Sequence, residues 1–139
     1  MSITKRLAAI AIAAMMTTAM AVTASAADTI DTATPVSTPY GELGGTLTKS
    51  EGWFFWDNSK TFTATTTCTG KAPTLTVELD VVSYPSGTSI YSSSNTAYNA
   101  KSVSVSSDGI TKSDTVSAYG AHQVIYADAD VTYTSATAV

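Results

Sequence analysis

The sequence predicts an all-β fold: a small antiparallel β-sandwich of about 7–9 strands, preceded by a cleaved signal peptide. Three observations carry this. Thr74 to Tyr84 alternates strictly, with Leu75, Val77, Leu79 and Val81 in one row and Thr76, Glu78 and Asp80 in the other. A strand has a side-chain period of two, so that pattern gives one apolar face and one polar face. Strand-like runs and turn residues alternate every eight to twelve residues or so, the rhythm of sandwiches and small barrels. Beyond the first 26 residues no window repeats apolar residues at helical spacing, which removes β-α-β architectures.

The N-terminus reads as an export signal. Lys5 and Arg6 form a short positive region, Leu7 to Val22 is apolar, and Ala24 and Ala26 stand in a small-x-small arrangement. Those are the three parts of a secretory signal, cut after Ala26 or Ala27. The apolar run is shorter than the roughly 20 residues a spanning helix needs, and Thr17 and Thr18 interrupt it. The expected organisation is residues 1–26 as the signal peptide, 27–43 as an extended N-terminal leader and 44–139 as the β-sandwich domain, with no membrane span after cleavage.

Charge narrows the partners. The chain has 7 Lys+Arg and 11 Asp+Glu. Lys5 and Arg6 leave with the signal, so five basic and eleven acidic residues remain, a net of −6. Arg6 is the sole arginine. An acidic surface without arginine repels phosphate backbones and lacks the fork that grips phosphate, which argues against nucleic acid. The single cysteine, Cys68, cannot form an intrachain bridge, so the core alone must hold the fold.

Taken in order, the leader contains Pro35 and Pro39 and reads as extended or loosely docked. Thr46 to Thr48 reads as a short strand. Gly52 to Asp57 is the most aromatic segment. Phe62, Ala64, Thr66 and Cys68 alternate with threonines, and Gly70 to Pro73 then connects to the central strand. A four-residue link between two alternating runs predicts a hairpin pairing Phe62–Cys68 with Leu75–Val81. Tyr84-Pro85-Ser86-Gly87 reads as a type I turn. The chain returns through Ile90 and Tyr91, and Ser92 to Asn99 reads as a polar loop. Val103 and Val105 mark the next strand, Ser107 to Gly109 a turn, and Thr115–Tyr119, Ala121–Tyr126 and Val131–Thr134 the last three strands.

Several residues are candidates for chemistry. Trp53 and Trp56 lie on opposite faces of any strand that holds them, so one can enter the core while the other stacks on a sugar ring or a protein partner. His122 is the only histidine. It is a candidate ligand-binding residue or general base, but no G-x-S-x-G elbow accompanies it, and a hydrogen-bonded structural role fits it better. One His and one Cys do not build a zinc site. Asp128 and Asp130 form a weak calcium pair, short of the six oxygens calcium takes. Glu78 and Asp80 share a face and have the residue types of a glycosidase pair, yet they read more simply as the polar side of an amphipathic strand, offset by Lys60, Lys71 or Lys101. Cys68 has the parity of the core face, with an intermolecular disulfide as its sharper alternative.

These residues describe a secreted, extracellular bacterial protein that binds or interacts without enzymatic chemistry or a cofactor. The expected partner is an extracellular glycan, a cell-wall polymer or a cell-surface protein, met through Trp53, Trp56 and His122. Two alternatives stand beside it: a bacteriocin-like antibacterial or effector polypeptide, and a small hydrolase using His122.

Overall fold

The computed structural model describes residues 28–52, 58–126 and, for the backbone alone, 129–138. The expected signal peptide (1–26) and Trp53, Trp56 and Asp128 lie outside the described residues. Everything described is strand or turn, with no helix.

Seven antiparallel strands form one hydrogen-bonded sheet: β1 (Asp28–Thr38), β2 (Gly41–Glu51), β3 (Ser59–Ser83), β4 (Ser89–Ser106), β5 (Ile110–Thr111), β6 (Val116–Tyr126) and β7 (Ala129–Ala138). The path runs β1-β2-β3-β6-β7, and β4 and the short β5 also pair with β3.

β3 organises the rest. Its 25 residues would reach about 80 Å if straight, against a radius of gyration of about 13 Å for a domain of this size. The strand must therefore bend, and it does so between Thr67 and Ala72, where its pairing with β4 slips in register. β4 turns at the corresponding point, with Asn99 in the left-handed region at φ 52°. Asparagine is among the few non-glycine residues that visit that region readily. The two halves of β3 have different neighbours on one side: Lys60–Cys68 pairs with β2, and Thr74–Ser83 pairs with β6.

The bend brings the two halves face to face. β2 lies near β6, and β1 near β7. Between them sit Leu43 and Leu47 of β2, Phe62, Ala64 and Cys68 of the first half of β3, Leu75, Val77, Leu79 and Val81 of its second half, and Val116, Ala118 and Val124 of β6, all buried. Each fully buried Leu, Val or Phe contributes about 1.5–3 kcal/mol, so the four-residue row of Leu75–Val81 is a leading stabilising element.

Several expectations change here. Phe62–Cys68 and Leu75–Val81 do not form a hairpin; they are one continuous strand, and each takes a separate partner. The loop expected at Ser92–Asn99 is strand, because Thr74–Asp80 offers it an alternating ladder residue for residue. Thr115–Tyr119 and Ala121–Tyr126 merge into one strand through Gly120. The leader is no loose segment: Asp28–Thr38 pairs with β2, and its register slips between Ala33 and Val36, around Pro35. Proline in a strand is found at edges and at such irregularities. The Tyr84–Pro85 bond is cis, and the turn is closed by Gly87 N donating to Ser83 O at 2.7 Å, one residue wider than a type I turn.

Candidate functional site

His122 lies in the interior, between the two halves of the bent sheet. β6 places it on the apolar parity, opposite Val77, and it is fully buried. Thr66 Oγ1 stands 2.8 Å from His122 Nδ1 and 2.9 Å from Thr76 O. A hydroxyl has one proton to give. Donated to the carbonyl, it leaves the Thr66 oxygen as acceptor, so His122 carries its proton on Nδ1. Burial pushes the pKa of the ring from 6.5 down to about 4, so the imidazole is neutral at ordinary pH.

Two glycines make room for it. A Cβ on Gly45 of β2 would overlap the ring, and one on Gly120 would stand 3.3 Å from both Nε2 and the Ala64 Cβ. The ring therefore lies on the bare backbone of the facing strand. Candidate base and candidate ligand-binding residue in the sequence, His122 is in the structure an interior tie between β6 and the first half of β3.

The opposite face of the second half of the sheet is polar. Thr76, Glu78 and Asp80 project there, as the alternation requires. Thr76 Oγ1 donates to Gln123 Oε1 at 3.1 Å, and Thr76, Glu78 and Gln123 are buried. One cross-strand row is more open. Tyr119 of β6 stands opposite Asp80 of β3, and Asp80 opposite Ser92 of β4. The Ser92 hydroxyl donates to the Asp80 carboxylate. Tyr119 is 43% exposed. Further along, Tyr84 N donates to Thr115 O at 2.9 Å, which continues the β3–β6 ladder and keeps Tyr84 at the same register parity, 56% exposed. From strand geometry the two tyrosines are roughly 14 Å apart, with a carboxylate and a hydroxyl beside the first.

The lysines do not flank this row. Lys60 is buried at the start of β3, and its Nζ donates to Lys112 O at 3.2 Å and Asp114 O at 2.6 Å. It fastens the turn after β5, and burial lowers its pKa. Asp80 is met by a serine hydroxyl instead. Cys68 is buried, its thiol 3.5 Å from Tyr40 O, so the exposed thiol that an intermolecular disulfide needs is not presented.

Asp130 lies on β7 opposite Ile125. Among the described residues no three His, Cys, Asp or Glu side chains gather as a metal site would need. Among them, too, no helix is long and apolar enough to cross a membrane.

The row of Tyr119, Asp80 and Ser92 was not singled out in the sequence. Its signal was parity: Tyr119 alternates with the buried Ala118 and Gly120. No protein-family model matches the chain, and comparison with the curated proteins and with the solved structures returns no match.

Proposed function

We propose that the chain is a secreted β-sandwich protein that binds an extracellular glycan or cell-wall polymer without transforming it. The two halves of the bent sheet are the layers of the sandwich, and the residues ahead of Asp28 are its export signal. The observation that carries the reading is the Tyr119–Asp80–Ser92 row, with Tyr84 along the same sheet. An exposed tyrosine ring offers an apolar platform with a polar tip, and the carboxylate and hydroxyl beside it supply directional acceptors and donors for sugar hydroxyls. Two such rings spaced along a strand suit a chain polymer better than a single sugar. The acidic, arginine-poor composition suits a neutral partner.

The position of His122 supports binding over hydrolysis. A general base must reach a proton on the substrate, and this ring is enclosed by Thr66, Gly45 and Gly120. The test is depletion of the secreted protein by insoluble peptidoglycan, chitin and cellulose. Loss of binding in Tyr84→Ala/Tyr119→Ala, with an unchanged melting temperature, supports the reading. Absence of depletion by all three polymers contradicts it.

A further inference from the structure

We infer that the polymer held on the tyrosine row carries free amino groups, as a de-N-acetylated amino-sugar chain does, and that Asp80 receives an ammonium group beside Tyr119. The inference rests on the glycan-binding reading and narrows its substrate class. The ladder itself sets the place. Tyr84 N donates to Thr115 O, so every second pair of the β3–β6 ladder is hydrogen-bonded, and Asp80 and Tyr119, four residues along, are such a pair. Their Cα atoms then stand about 5.5 Å apart, the wider of the two antiparallel spacings. On its other side Asp80 faces Ser92 across the narrower spacing of about 4.5 Å, and there the side chains meet, the Ser92 hydroxyl donating to the carboxylate. The carboxylate is thus tied on the β4 side and faces the exposed Tyr119 across the wider gap.

Among the described residues, no cation answers that carboxylate. Lys49 pairs with Glu51 at 2.7 Å, Lys60 is buried on the carbonyls of Lys112 and Asp114, and Lys112 Nζ donates to Gly52 O at 2.6 Å. Lys71 lies in the bend of β3, and Lys101 follows Ala100, the partner of Ala72. Each is separated from Asp80 or its neighbour Ser92 by roughly 30 Å of strand. His122 is on the inner face and neutral. The sole arginine, Arg6, lies in the expected signal.

A half-buried carboxylate without a counter-charge, beside an exposed aromatic ring, meets two needs of an ammonium group. The carboxylate accepts its charge-assisted hydrogen bonds, and the ring face attracts the cation. Acetylation of the amine removes the charge and leaves a single N–H donor, so an acetylated sugar gains neither. Net charge acts in the same direction. Beyond the expected signal five lysines stand against eleven acids, a net of −6, which draws in a polycation and repels an anionic polymer. In this arrangement the sugar faces rest on Tyr119 and Tyr84, and Asp80 reads the substituent on nitrogen.

The test titrates the secreted protein, by calorimetry, with glucosamine and N-acetylglucosamine oligomers of equal length at mildly acidic pH, where the free amine is protonated. Wild type should bind the glucosamine oligomer about tenfold more tightly, and about 0.5 M NaCl should remove most of that margin. Asp80→Asn should bring the two affinities together, with the acetylated oligomer held as before and the melting temperature unchanged. Equal affinities in wild type, or a margin that survives Asp80→Asn, overturn the inference and leave the glycan-binding reading standing. Failure to bind either oligomer overturns both. Oligolysine of matching length that displaces the glucosamine oligomer equally well shows that the row reads charge alone, and overturns the assignment to an amino sugar.

Discussion

The imidazole of His122 rests on Gly45, with no side chain between the ring and the backbone of the facing strand. The two halves of the sheet come close here, and that explains why a polar ring occupies a site that alternation assigns to an apolar residue. The ring fills the gap over a glycine, and its Nδ1 proton goes to Thr66.

Gly45→Ala should therefore be destabilising despite the small change. Its Cβ would overlap a ring that the Thr66 hydroxyl holds in place, and overpacking of this kind usually amounts to roughly 1–3 kcal/mol. Chemical denaturation measures it. Adding His122→Ala should recover part of the loss, since residues in contact do not add independently.

Stability should fall with acidity in a defined window. The folded pKa of His122 is depressed to about 4 by burial, from 6.5. The unfolded chain therefore binds the proton first, and stability is complete above pH 6.5 and lost as pH falls towards 4. A difference of that size is worth roughly 3 kcal/mol. Urea midpoints at intervals from pH 7.5 to 4 should show the decline, and the slope in this window should flatten in His122→Gln.

Thr66→Val keeps shape and removes the hydroxyl that joins His122 to Thr76 O. Leaving such groups without their partner typically destabilises by roughly 1–3 kcal/mol. Thr66→Ser should retain most of the stability, and equal losses in both variants would show that the methyl group matters more than the hydrogen bonds.

Lys60→Met should loosen the turn at Lys112–Asp114. The buried ammonium donates to two carbonyls there, and hydrogen bonds from charged groups contribute about 1.5–3 kcal/mol each. Amide exchange is the direct readout: protection at Ile110 and Lys112 should fall more than at Leu75–Val81.

What could be read from the sequence was the strand pattern itself. Leu75, Val77, Leu79 and Val81 were assigned to the core by alternation, and all four are fully buried. Cys68 and Phe62 followed by the same parity. The bend was hidden because a Gly-Pro link between two alternating runs is equally consistent with a hairpin and with a strand that changes neighbours. Only the long-range pairing with β2 and β6 distinguishes them. The serine-rich half of β4 was hidden because serine and asparagine favour turns locally, and a partner strand overrides that preference. The interior place of His122 depends on Gly45, 77 residues away in sequence, a contact no local pattern reports.

The most direct test of the account is an NMR titration of the secreted protein with a soluble oligosaccharide from whichever polymer depletes it. If the tyrosine row is the binding site, saturable shifts are expected at Tyr119, Asp80, Ser92 and Tyr84, with an unmoved His122 imidazole and an oligosaccharide recovered intact. Shifts centred on His122, or cleavage of the sugar during the titration, would contradict it.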